Sequence, residues 1–178
     1  GGAGVRPTNL LLGIVTAMTA ALFAMGSLAL QGSTSIAALG AAGIVLLDND
    51  AASAGPLAIG GLDDAFTDHH DLGATLAALR RTPGAKLLLS HSPDPFPEVP
   101  GEVGLMLAGH THCGQVRLPF YGYISTMSDH GERYVCGRID ENGRTLIVTA
   151  GLGTSILPLR FGVDPDMWLV TIGPERRR

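Results

Sequence analysis

LLLSHSPD at 87–94 and LMLAGHTHCGQ at 105–115 decide how this chain reads: two short apolar runs, each broken off by a loop that carries histidine. Continuous apolar runs of about four to eight residues are the signature of strands buried on both faces. Strands are therefore expected at Lys86 to Leu89 and Val103 to Leu107, with His91, His110 and His112 at their carboxyl ends, where α/β proteins place their chemistry. Working outward, Leu57 to Gly60 reads as a further strand ending in Gly61-Leu62-Asp63-Asp64. Asp71 is placed to cap a helix running to about Arg81, with Leu72, Leu76 and Leu79 on one face and Arg80-Arg81 at the end that suits cations. Upstream, Ser35 to Ala42 reads as a short helix that leads through Gly43 into a buried strand at Ile44 to Leu47. Downstream, Tyr134 to Ile139, Thr145 to Thr149 and Met167 to Ile172 read as strands, with Glu141-Asn142-Gly143 as a hairpin turn. There is no internal repeat. Short apolar strands with one or two helices between them predict an α/β layered domain.

The length of 178 residues bounds the chain to one domain or part of a larger one. A hydrophobic content of 46%, with 16% charged residues, excludes a disordered chain. The net charge of −4 lacks the basic footprint that a nucleic-acid backbone demands, and 5% aromatic residues make no stacking platform. Cys113 and Cys136 are too few for a disulfide scaffold, and Cys113, next to His112, reads as either a thiolate ligand or a packing residue. Charge is unevenly spread, with none between Arg6 and Asp48. Within that gap, Leu10 to Leu30 has three readings: a membrane helix, a secretory signal with Ser27-Leu28-Ala29 as its cleavage site, or a pair of short buried strands. Residues 1–35 thus form an apolar amino-terminal segment, buried or membrane-directed, and the first residue, a glycine, reads as a fragment or processed form.

A lone histidine in a loop is ordinarily just polar surface, but three at adjacent strand ends point to a metal site. His-x-His in a turning segment sends its imidazoles to opposite sides, so His110 and His112 suit two ions better than one. Gly109 is expected to permit a tight backbone and Gly114 to relieve crowding. Asp68-His69-His70-Asp71 holds carboxylates and imidazoles as well, yet neighbours at a helix start point apart, which makes it a solvated helix entrance. Asp48 and Asp50 follow a strand and read as either ligands or ordinary loop residues, Asp63 and Asp64 as holding the loop near the site, and Arg176 to Arg178 as a solvated tail.

At these residues the chain resembles the calcineurin-like metallophosphoesterases, especially the bacterial branch of small, YkuE-like or YaeI-like phosphodiesterases. The segments that carry the likeness are LLLSHSPDPF at 87–96, LMLAGHTHCGQVRLPFYG at 105–122 and TAGLGTSILPLRFGVDPDMWLVTI at 149–172. AALGAAGIVLLDND and PLAIGGLDD upstream are similar too, so the resemblance covers about residues 36–173. It implies a β-sandwich flanked by helices in αββα layers, of which residues 36–178 are the carboxyl-terminal part. It implies two divalent ions, manganese, iron or zinc, with His91 and His110 as ligands of the second metal and His112 of the first. Arg160 is implied either as a contact to a substrate phosphate or as half of a structural ion pair.

The family's Asp-x-His, Gly-Asp-x-x-Asp and Gly-Asn-His motifs are not in this chain. ALFAMG at 21–26 looks like the strand before the last of these, but Ser27-Leu28-Ala29 follows it. The function implied is metal-dependent hydrolysis of a small phosphoric mono- or diester by a metal-activated hydroxide, in a truncated or degenerate chain that is cytoplasmic or membrane-associated. The alternative is a noncatalytic remnant of the fold, anchored in a membrane through residues 10–30.

Overall fold

A computed structural model describes residues 38–65, 67–156 and 158–173. The apolar stretch Leu10 to Leu30, the start of the helix read at Ser35 to Ala42, and the Arg176 to Arg178 tail lie outside the described residues. Among the described residues no helix is long and apolar enough to cross a membrane.

Six strands form one sheet in the order β1-β2-β3-β4-β8-β7. They are β1 (Asp50–Ala54), β2 (Leu57–Gly61), β3 (Ala85–Leu89), β4 (Val103–Ala108), β7 (Gly137–Glu141) and β8 (Arg144–Val148). The four central strands β2, β3, β4 and β8 are mutually parallel, and β1 and β7 pair antiparallel at the edges. The single helix longer than one turn, α1 (Leu72–Arg81), connects β2 to β3, so the α/β expectation holds among the described residues. Asp71 caps α1 as expected, its Oδ1 accepting from the Ala74 N–H at 2.8 Å.

The continuous apolar runs of the central strands follow from burial on both faces. On one side Ala58, Leu88, Met106, Leu146 and Val148 meet Leu76 and Leu79 of α1, together with Phe96 and Tyr134. On the other, Leu57, Ile59, Leu87, Leu107 and Ile147 are covered by Trp168, Val170 and Ile172, with Leu47 beside them. Residues 167–172 therefore alternate as a strand does, with Met167 and Leu169 exposed, but carry no ladder there. The strand expected at 44–47 is likewise absent. Its place beside β2 is taken by β1, whose small, polar sequence DAASA gave no strand signal. Asn142 and Gly143 take positive φ, as the β7–β8 hairpin requires. A second, two-stranded hairpin, β5 (Arg117–Leu118) with β6 (Gly122–Tyr123), follows the histidine turn and was not legible in the sequence.

Candidate functional site

Because β2, β3, β4 and β8 run the same way, their carboxyl ends gather four loops at one edge. Those loops carry Asp63 and Asp64, His91, His110 with His112, and the turn 149–153. The Gly109 N–H donates to the His91 carbonyl at 3.0 Å, which ties the two histidine loops together. Within that frame His110 Nδ1 lies 3.0 Å from His91 Nε2, and the rings meet edge to face with centroids 4.8 Å apart.

His112 turns elsewhere, as the His-x-His spacing suggests. Arg160 Nη2 lies 3.4 Å from its Nδ1, while Arg160 Nη1 donates to its carbonyl at 3.0 Å. The same guanidinium donates to the carbonyls of Ala150, Gly151 and Gly153. Arg160 is thus a clamp between the His112 turn and the turn after β8, held by carbonyl oxygens; none of the four ion pairs among the described residues involves it.

The turn is built from unusual backbone. His110, His112, Cys113, Gly114 and Gln115 all have positive φ, whereas Gly109, expected to supply the tight conformation, does not. Each such non-glycine residue costs of order 1–3 kcal/mol and persists only where its surroundings fix it. Here the surroundings are explicit: Thr111 Oγ1 donates to the Val135 carbonyl at 2.7 Å, and Gln115 exchanges two hydrogen bonds with the Ser155 backbone. Gly114 behaves as expected, since a Cβ there would collide with the Tyr123 ring. Cys113 corrects its reading as a packing residue, because it is bonded to Cys136, 23 residues on.

The electrostatics divide the site in two. Burial first, then the neighbouring His110, pulls the His91 pKa below the ordinary histidine value, while Asp64 pulls the other way. Burial also lowers His110, against the opposing charges of Asp64 and Asp94. Both rings are therefore neutral at neutral pH, in a place where nearby carboxylates favour a cation. Burial lowers His112 too, but its second cause is the positive charge of Arg160, which disfavours a cation at that ring. The buried Nδ1 of His91 has no hydrogen-bond partner among the described residues. The imidazole pair with its carboxylate field fits one divalent ion, and the His112 side fits a second poorly.

Asp64 Oδ2 accepts from Thr67 Oγ1 at 2.8 Å, and Asp63 Oδ1 accepts from the Asp64 N–H at 2.7 Å, which shapes the loop after β2. Asn49 pins that loop from the other side, its Oδ1 accepting from the Asp63 and Asp71 N–H groups. Asp50 opens β1 at the sheet edge. His69 Nδ1 sits 3.0 Å from Thr67 Oγ1. Among the described residues, three metal-ligating atoms come within 4.8 Å of one another at Cys113, Cys136 and Asp166.

The chain is 37% identical over 115 residues to the uncharacterized metallophosphoesterase YkuE of Bacillus subtilis, covering 64% of this chain and 40% of that protein. It is 35% identical over 89 residues to the phosphodiesterase YaeI of Escherichia coli, covering 49% of this chain and 32% of that one. An uncharacterized Bacillus subtilis protein, YpbG, is 32% identical over 128 residues, 67% of this chain and 43% of its own length. The chain thus spans less than half the length of these relatives. No family model matches it, and no solved structure matches it significantly.

Proposed function

From its kinship with the calcineurin-like metallophosphoesterases, we propose that this chain supplies the carboxyl-terminal half of a phosphoesterase site that hydrolyses a small phosphoric mono- or diester with a divalent metal. In this reading residues 36–178 are the later part of the domain, and the six-stranded sheet is one sheet of an αββα sandwich. The observation that carries the reading is the His91–His110 pair, two neutral imidazoles in contact at the ends of neighbouring parallel strands.

His91 and His110 would hold one ion of manganese, iron or zinc, and His112, beside the Arg160 charge, would hold a second only weakly. When bound, such an ion supplies Lewis-acid stabilisation of phosphoryl oxygens and acidifies water. The chain's own residues do the rest. Burial keeps the imidazole lone pairs free of protons, and the Gly109 bond to His91 fixes the spacing of the two loops. Arg160 brings fixed positive charge to the His112 side, where a phosphoryl oxygen would be held.

The test is metal content after dialysis, together with turnover of bis(p-nitrophenyl) phosphate in added Mn²⁺, for the chain and its His110→Ala variant. We expect at most one retained ion and slow turnover, since a missing general acid alone typically costs about 10²–10⁴ in rate. Both should fall in the variant, affinity by at least the about 10–100-fold that follows loss of even an outer partner of a ligand. Two tightly held ions per chain would overturn the one-ion ligand set, and turnover untouched by His110→Ala would remove the imidazole pair from the chemistry.

A further inference from the structure

Phe120 and Ile156 burden the fold twice over. Both have positive φ, a backbone region in which bulky and β-branched side chains are outliers. Both also stand out in solvent, Phe120 fully and Ile156 at 89%. Glycine or asparagine would suit such backbone, and a polar side chain would suit such exposure. Neither local conformation nor packing among the described residues accounts for an aromatic ring and a branched aliphatic chain at these positions.

The two positions belong to one apolar rim. Phe120 is at the tip of the β5–β6 hairpin, between Pro119 and Tyr121, itself 74% exposed. The chain around Ser155 and Phe161 is laced to the base of that hairpin. The Arg117 N–H donates to the Phe161 carbonyl at 2.7 Å and the Phe161 N–H to the Gln115 carbonyl at 3.1 Å, while the Gln115 side chain holds the Ser155 backbone. Leu118, Ile124, Leu159 and Phe161 add exposed apolar surface to the rim. Apolar surface gathered in this way marks an interaction site.

Charge says which partner the rim fits. Residues 115–127 and 149–163 hold no aspartate or glutamate, in a chain with 16 acids against 12 bases. Their charged residues are Arg117 and Arg160. Arg117 is exposed, with its Cζ 5.2 Å from the centroid of the Tyr123 ring, and joins none of the four ion pairs among the described residues. Glu132, whose carboxylate lies beside Gly122, is an acid packed on the hairpin, so apolar burial has to supply most of the binding. An apolar tip, a tyrosine beside it and an arginine at its base match the acyl boundary, the interface and the anionic headgroups of a lipid layer in turn.

We propose that the β5–β6 tip and the rim beside it dock this chain on an anionic phospholipid surface, with Phe120 and Ile156 inserted beneath the headgroups. Arg160 stands between Leu159 and Phe161 and clamps the His112 turn, so docking brings that turn to headgroup level. The proposal rests neither on the phosphoesterase reading nor on residues 10–30.

The chain has one tryptophan, so Trp168→Phe combined with Phe120→Trp leaves a single reporter at the tip. With vesicles of equal parts phosphatidylcholine and phosphatidylglycerol, its emission should shift to the blue and be quenched by brominated acyl chains. A reporter placed instead by Arg81→Trp, at the far end of α1, should do neither. Phe120→Asn/Tyr121→Ser should weaken vesicle binding about 10-fold or more, the loss expected for one buried aromatic side chain, without lowering the melting temperature. Arg117→Gln should weaken binding to these vesicles about 5-fold and leave binding to pure phosphatidylcholine unchanged. A tip reporter that neither shifts nor is quenched overturns the proposal, as does vesicle binding untouched by the double variant or by Arg117→Gln. A reporter already blue-shifted and shielded from iodide without lipid also overturns it. Sedimentation velocity then assigns the cover, to a second copy if Phe120→Asn dissociates a dimer and to residues 1–37 of the same chain if the parent is a monomer.

Discussion

His110 reaches His91 from a backbone conformation that residues with a Cβ avoid, and it is kept there because the chain on both sides is tied down. Burial of the pair has a consequence for stability that pH exposes. The folded pKa of His91 is lowered from its ordinary value of 6.5, so in the metal-free chain protons bind the unfolded state first. Its stabilising contribution is therefore complete above about pH 6.5 and is lost as pH falls through that value towards the lowered folded pKa. Melting temperatures of the metal-free chain should be level above pH 7 and decline below about pH 6.5, with a shallower decline in His91→Gln; a melting temperature that rises on acidification would contradict the burial argument. Arg160 makes a separate prediction at this scale. Its bonds to four carbonyls need the planar fork of guanidinium, which an ammonium cannot reproduce. Arg160→Lys should cost about 1–3 kcal/mol in urea unfolding, as for groups left without a charged donor. If Arg160 also holds the phosphoryl group, the variant should raise KM as well, and a change in stability with KM unmoved would leave it a clamp.

Among the elements, the contact that matters most is α1 against β2, because it fixes where the loop carrying Asp64 leaves the sheet. A Cβ on Gly60 would come 2.8 Å from Leu79 Cδ1 and 3.2 Å from Thr75 Cγ2, so glycine is what lets the helix sit so close. Gly60→Val should destabilise by about 1–3 kcal/mol through overpacking, read in urea unfolding, while Gly104→Ala, with open space at its Cβ, should change little. These elements also divide what could be read from the sequence. The central strands, α1 with its Asp71 cap and the Asn142-Gly143 turn carry local signals, and the structure shows them close to where they are expected. The 44–47 segment has the apolar signal of a strand but not the place of one, since β1 occupies the edge of β2. Strand pairing is decided by what lies alongside, and DAASA pairs through backbone groups that composition does not report. The site divides the same way. Three histidines at strand ends were legible from their spacing, whereas the contact of His91 with His110 but not His112, the carboxylate field of Asp64, and the joining of Cys113 to Cys136 depend on loops meeting across the fold.

At the level of the whole molecule, among the described residues the sheet has one face closed by a helix and the other closed by a single extended segment. Trp168, Val170 and Ile172 cover Leu57, Ile59, Leu87, Leu107 and Ile147 without any ladder of their own at 167–172. That segment is held at its start by Asp166, which receives the Trp168 indole N–H and the backbone of the turn after β8. The packing of the far face and the turn that Arg160 clamps beside His112 therefore share one anchor. Trp168→Ala should remove the largest side chain of that cover. Because the ring is half-buried, the expected cost is about 2–3 kcal/mol, below the about 3–5 kcal/mol of a fully buried tryptophan. The same variant should bind a hydrophobic dye in its folded state, since the apolar strand face it uncovers has no other cover among the described residues. Trp168→Phe, which keeps the apolar bulk and drops the N–H to Asp166, should restore the cover and leave dye binding low while recovering only part of the stability. If Trp168→Ala melts and binds dye as the parent chain does, the 167–172 segment is not what closes this face.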